Sequence, residues 1–213
     1  MEDYRGHGVR LLKKNALLLY DLYHSMRLKS MMESKFFDSK ILWEGKYLRC
    51  LSITYKASDG NFRNWEALER VNCDGIVAVV PVTDDGCTLL IRQFRPPVNN
   101  YVIEFPAGLN DKGEKLEDAA LRELIEETGY GARELIFLAK GPLSSGASTE
   151  ILTVYIAKGL EYKGVNGRDE SEDIEVLKIP INDVYERLAQ LTENGDYIDL
   201  KIPGLLEMAK KRI

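Results

Sequence analysis

The most regular apolar pattern in the chain is Gly75 to Val82, GIVAVVPV, bounded by Asp74 and the turn residues Asp84-Asp85-Gly86. A run this strongly apolar predicts a strand. Cys87 to Gln93 predicts a second strand, joined to the first as a hairpin and broken by Arg95-Pro96-Pro97. Further apolar runs at Tyr101–Phe105, Leu135–Ala139, Glu150–Ala157 and Ile174–Ile179 predict four more strands. Upstream, Tyr47, Arg49 and Leu51 alternate with Leu48, Cys50 and Ser52, and Asn61–Arg70 returns after the turn signal Asp59-Gly60.

Helical spacing is found in four places. Leu12, Ala16, Leu19, Tyr23 and Met26 recur every three or four residues. Between Gly113 and Gly129 a helix puts Leu121, Leu124 and Ile125 towards a core. Asn182 reads as an N-cap for a helix whose apolar face is Val184, Leu188 and Leu191. Leu205–Lys211 predicts a last short helix. Lys158 to Glu172 is polar and glycine-containing and reads as a mobile loop. The pattern predicts an α/β chain in three segments: a helical extension over 1–38, a small antiparallel β module over 39–73, and a main domain over 74–213.

Composition narrows the function classes. The chain has 213 residues, 45% of them apolar and 30% charged, with a net charge of −5. That is an ordinary globular balance, and it lacks the basic field that a nucleic-acid polymer requires. No apolar run approaches the roughly 20 residues of a membrane span. Cys50, Cys73 and Cys87 are odd in number and widely spaced, as expected for reduced thiols in a cytoplasmic setting. Nuclear and mitochondrial destinations stay open. Arg5, Arg10, Lys13 and Lys14 favour a targeting segment, whereas Glu2, Asp3 and Asp21 oppose it. A helix packed on this chain or a partner is the simpler reading of 1–38, with a membrane-surface helix as a third.

His7 and His24, the two histidines, both lie in that extension. Chemistry in the body of the chain therefore falls to carboxylates, lysines, tyrosines or a metal-bound water. The densest carboxylate pattern is in Gly108–Tyr130, GLNDKGEKLEDAALRELIEETGY. Glu123, Glu126 and Glu127 fall within about 100° of arc on one helix face. Such an arrangement is either a solvated acidic face or a cluster that holds a cation, and oxygen-only ligands select a hard one, Mg²⁺ or Mn²⁺. A second acidic run, Asp169 to Asp173, reads by residue type alone as solvated surface. Trp65, by residue type alone, is a core or interface residue.

Gly108, Glu114, Arg122, Glu123, Glu126, Glu127 and Gly129 stand at the offsets of the Nudix signature, and the chain resembles the Nudix hydrolases. Leu124 fits the family's aliphatic position, and Tyr130 departs from another. The resemblance implies an α/β/α sandwich with a mixed sheet. It implies Mg²⁺, with Mn²⁺ as a substitute, held by Glu123, Glu126 and Glu127 with the Ala107 carbonyl completing the shell. Glu114 and Arg122 form an ion pair that pins loop to helix.

The segments Arg92–Pro97 and Ile103–Gly108 are similar to those of ADP-ribose and nucleoside-diphosphate-sugar hydrolases, over a region running from about Trp43 to the C-terminal helix. On that likeness Arg95 contacts phosphate, Glu104 lies near the metals, and Glu150 is a loop carboxylate of the site. Trp65 stacks on adenine and Arg70 reaches the ligand. Glu170 is the first choice of base and Glu172 the second. The relatives are homodimers in which N-terminal strands cross to the other subunit, so Trp65 serves the partner's pocket. Ser145 stands where ADP-ribose hydrolases usually carry proline, which loosens the match to that substrate.

The expected activity is Mg²⁺-dependent cleavage of the diphosphate of ADP-ribose or a related nucleoside diphosphate sugar, giving AMP or another nucleotide and a sugar phosphate. Rival readings are another substrate (GDP-mannose, an oxidised nucleotide, a dinucleotide) and a non-catalytic module that senses a nucleotide.

Overall fold

The computed structural model describes residues 34–111, 113–165 and 173–213. The N-terminal helical stripe and the acidic residues Glu170 and Glu172 lie outside them. Two compact units are present, divided between Glu69 and Arg70.

The first unit contains a three-stranded sheet in the order β1-β2-β3, with β1 at Lys35–Glu44, β2 at Leu48–Lys56 and β3 at Phe62–Arg70. β1 and β2 are antiparallel, with register shifts between Phe36 and Asp38 and between Ile41 and Trp43. The Asp59-Gly60 turn between β2 and β3 forms as expected, with Gly60 at φ 85° and its N–H donating to the Ala57 carbonyl. β1 begins inside the segment assigned from sequence to the helical extension. Every residue of β1 is exposed, Phe36, Phe37, Ile41, Leu42 and Trp43 among them.

The second unit is built on β4, Ile76–Pro81. All six of its residues are buried, which is why the strand reads as an unbroken apolar run. It pairs antiparallel with β7, Ala107–Leu109, and parallel with β9, Ile151–Tyr162; β8, Tyr130–Pro142, completes the order β7-β4-β9-β8. A second mixed sheet has the order β10-β5-β6-β11: Ile174–Pro180, Cys87–Arg95, Asn100–Glu104 and Tyr197–Ile198.

The turn at Asp84-Asp85-Gly86 does not make the expected hairpin. Val82 and Thr88 meet in one antiparallel bridge, and then β4 and β5 part into different sheets. Each strand is buried over most of its length, and each has partners from other parts of the chain.

Helices cover both sides, giving the expected α/β/α sandwich. Ala119, Ala120 and Leu124 of α1, Leu116–Thr128, pack on Val77 and Val79 of β4 and on Tyr155 and Ala157 of β9. The alternate residues Ile76, Ala78 and Val80 point into the main core, with Leu90, Ile103 and Phe105. Val184, Leu188 and Leu191 of α2, Val184–Glu193, join that core, as do Ile202, Leu206 and Ala209 of α3, Lys201–Lys210. Among the described residues no helix is long and apolar enough to cross a membrane.

Several boundaries move from their expected places. In α1 the two alanines lie deeper than Leu121 and Ile125, because small residues let the helix approach the sheet closely. β9 continues through Lys158–Tyr162, pairing with β8 where a loop was expected. α2 is capped at Asp183, one residue beyond Asn182. α3 starts at Lys201 rather than Leu205, since Pro203 sits in its first turn, where a missing N–H costs nothing.

α1 ends at Gly129, which has φ 78° and an N–H that donates to the Ile125 carbonyl. The residue after it, Tyr130, packs edge-on against Tyr162 at 5.2 Å between ring centroids, so the departure from an aliphatic residue is absorbed by aromatic packing. A Cβ on Gly129 would lie 2.7 Å from the Tyr162 ring. Gly129→Ala is therefore expected to destabilise the protein by about 1–2 kcal/mol from the left-handed backbone alone. Urea unfolding measures it, and an unchanged midpoint would show that the helix end can rearrange freely.

Candidate active site

The signature stretch folds as strand, loop and helix. β7 lies along β4, with Ala107 opposite Ala78, and the chain then turns through Gly113 at φ 66° into α1. Glu117 and Asp118 occupy the first turn of α1, where acidic side chains complement the helix dipole. The helix carries Arg122, Glu123, Glu126 and Glu127 back past β7.

Arg122 is the centre of this arrangement. Its Nε and Nη2 donate to Glu114 Oε1 at 3.0 and 2.7 Å, and Nη2 also donates to the Leu109 carbonyl at 2.9 Å. The expected ion pair with Glu114 is thus formed. Nη1 reaches Glu123 at 2.6 Å and Glu126 at 3.0 Å, the second an i,i+4 pair that helical spacing brings into reach. Burial works against the guanidinium's charge, but the hydrogen bonds to Glu114, Glu123 and Glu126 and the charge of Glu123 outweigh it and hold Arg122 above its ordinary range. Glu127 is buried and accepts the Ala107 N–H at 2.8 Å, which ties the helix to β7.

Gly108 explains itself in this geometry. A Cβ there would overlap the Glu123 carboxyl group, so only glycine lets that carboxylate lie against the strand.

A pocket of about 650 Å³ opens beside the helix. Glu123, Glu126, Glu127 and Ala107 line it together with Arg70, Arg95 and Glu104, which brings seven of the sequence-derived site residues to one cavity. Arg95 Nε donates to Glu104 at 2.7 Å, and Arg70 Nε donates to Glu150 at 2.7 Å. Glu150 also accepts the Ser148 hydroxyl at 3.2 Å. Pro96 and Pro97, in a single 3₁₀ turn, form part of the wall. Trp65 lies on β3 in the other compact unit, half exposed. Asp111, Asp199 and Lys201 also line the pocket and were not anticipated. Asp199 and Lys201 lie ahead of the Leu205–Lys211 helix read from sequence, and no local pattern marked them.

The NUDIX domain family matches residues 74–199, more than half of the chain. The chain belongs to the Nudix family. The ADP-sugar pyrophosphatase of Mus musculus is 35% identical over 180 residues, covering 78% of this chain and 82% of the mouse protein. The ADP-ribose pyrophosphatase of Bacillus subtilis is 34% identical over 173 residues, covering 80% of this chain and 89% of the bacterial one. A crystal structure of an ADP compounds hydrolase superposes with a TM-score of 0.67 at 23% identity, covering 85% of this chain and 94% of that one, a likeness of fold.

Nudix hydrolases generally work with a divalent metal. The donor chemistry of this pocket fits one: Glu123, Glu126 and Glu127 offer carboxylate oxygens, suited to a hard cation. Among the described residues no three such side chains converge on a single point, and the Arg122 guanidinium engages both Glu123 and Glu126. Gly108→Ala should swing the Glu123 carboxylate off the strand and loosen its bond to Arg122. A crystal structure of the variant reads this directly; an unmoved carboxylate would mean that the backbone had given way instead.

Proposed function

We propose that this Nudix protein hydrolyses the diphosphate bond of ADP-ribose or a related nucleoside diphosphate sugar, with Mg²⁺ bound by Glu123, Glu126, Glu127 and the Ala107 carbonyl and with Mn²⁺ as a substitute. The observation that carries the reading is the meeting of three helix carboxylates with Arg70 and Arg95 in one pocket. Carboxylates for a cation and guanidiniums for phosphate are what phosphoryl transfer requires, since its demands are positioning and charge stabilisation. The names of the mouse and Bacillus relatives agree with this substrate class.

In this reading Arg95, held at its Nε by Glu104, presents its remaining N–H groups to a phosphate oxygen. Arg70, steadied by Glu150, does the same from another wall. Arg122 stays with the carboxylates and sets their aim. The metal, when bound, supplies charge neutralisation and acidifies water. Water attacks one phosphorus, the P–O bond to the bridging oxygen breaks, and AMP and a sugar phosphate leave. Glu170, or failing that Glu172, takes the proton of the attacking water.

A second substrate, another nucleoside diphosphate derivative such as GDP-mannose, is favoured by one observation: Ser145 in the loop where ADP-ribose hydrolases usually carry proline. A non-catalytic module fits less well, because the full carboxylate set is present.

Purified protein with Mg²⁺ and ADP-ribose should release AMP and ribose phosphate, identified by chromatography. Glu127→Gln should lower kcat by about a hundredfold or more while ADP-ribose still binds, since the amide oxygen can keep the Ala107 hydrogen bond. Failure to release AMP with any divalent ion would sink the reading; near-normal turnover in the variant would remove Glu127 from the metal site.

We also propose a homodimer formed through the β module, with Trp65 stacking on the adenine bound by the partner. Support comes from Phe36, Phe37, Trp43 and Tyr47, large apolar residues exposed together on and beside β1. Light scattering should give twice the 24.2 kDa chain mass; a monomer at micromolar concentration would exclude it.

A further inference from the structure

Among the described residues four cationic side chains line the pocket, and each has a carboxylate partner: Arg70 with Glu150, Arg95 with Glu104, Arg122 with Glu114, Glu123 and Glu126, and Lys201 with Asp199. Three of the four are guanidiniums, whose flat forks match phosphate oxygens. The fourth is different in kind. Lys201 offers a compact ammonium with three donors, 2.5 Å from an Asp199 carboxylate that has several acceptor sites.

We propose that Asp199 and Lys201 form the wall that takes the hydroxyl groups of the substrate's distal sugar. This deepens the diphosphate-sugar reading above and rests on it. A Lys–Asp pair lacks the flat guanidinium fork with which the Arg70 and Arg95 pairs can grip phosphate oxygens. It does place a donor and an acceptor side by side. Neighbouring sugar hydroxyls each donate and accept, and they match such a pair atom for atom.

The pair is also held in position. The Asp199 N–H donates to the Ile103 carbonyl at 2.9 Å, beside the pocket residue Glu104. Asp199 Oδ1 accepts the Lys201 N–H at 2.9 Å, and the Asp199 carbonyl accepts the Ile202 N–H at 3.0 Å. Strand β6 and helix α3 thus fix the aspartate, whose side chain is only 16% exposed. The lysine side chain is 42% exposed, so its ammonium is open to a ligand while its partner is anchored.

The test compares kcat/KM for ADP-ribose with that for the methyl ester of ADP, a diphosphate diester without a distal sugar. The readout is the ratio of the two, which cancels any general loss of fold or metal. Lys201→Gln should reduce the wild-type ratio by about tenfold, and Lys201→Arg should restore part of it. An unaltered ratio, whatever the absolute rates, overturns the proposal and assigns Lys201 to phosphate or to structure. If wild-type protein releases AMP from neither compound, hydrolysis is lost as a reading, and the same ratio is then taken from calorimetric dissociation constants. Equal binding of the two compounds by wild type also overturns it.

Discussion

The Arg122 guanidinium holds the carboxylate helix to the loop before it through five hydrogen bonds. Without it, Glu123 and Glu126 would stand one helical turn apart as like charges and repel. With it, the loop end at Glu114, the strand end at Leu109 and the two helix carboxylates share one partner. Lysine could supply the charge but not the planar fork that reaches three directions at once. The rest of the site depends on this fixture. Gly108 exists to admit the Glu123 carboxylate that Arg122 holds, and Glu127 closes the other edge through the Ala107 N–H.

Much of this was legible in the sequence because the information is local. The carboxylate spacing and the glycine that ends α1 lie within one stretch, where helical geometry converts residue number into position, while the Glu114–Arg122 pair came from the likeness to the family. The β4 run was legible for a similar reason: a strand buried on both faces has no polar positions to confuse the pattern. Errors gathered where neighbours in space are distant in sequence. The Asp84-Asp85-Gly86 turn looks the same whether its strands pair or part, and the choice is made by β9 and β6, which no local pattern reveals. Lys158–Tyr162 was read as loop because its polar residues, as a strand, need only a hydrogen-bonded partner, which β8 provides. The last helix was read from Leu205, although its first turn at Lys201 tolerates Pro203. The likeness to known enzymes carried Arg95, Arg70 and Glu150; their residue types alone did not distinguish them from surface charges.

The carboxylate helix and the cationic walls of this pocket are built by different means. The carboxylate set is a single rigid unit of strand, loop and helix. The walls are ion pairs assembled from remote parts: Arg70 meets Glu150 across 80 residues, and Arg95 meets Glu104 across neighbouring strands. Each pairing fixes a guanidinium on its wall through the Nε. Substitutions in the walls leave the hydrogen bonds of Arg122 to the loop and helix untouched.

The parallel pairing of β4 with β9 carries a consequence for biosynthesis. Ile76 of β4 lies opposite Leu152 of β9, so the central seam of the sheet joins segments that leave the ribosome far apart in time. Helix α1 is made between them, before Tyr155 and Ala157, half of the surface it rests on, have been synthesised. Its acidic face can wind early, but Ala119, Ala120 and Leu124 have an incomplete bed until β9 docks. Docking of the carboxylate helix on a complete sheet therefore waits for β9 to be synthesised, a delay set by translation, because helix formation and loop closure are both far faster.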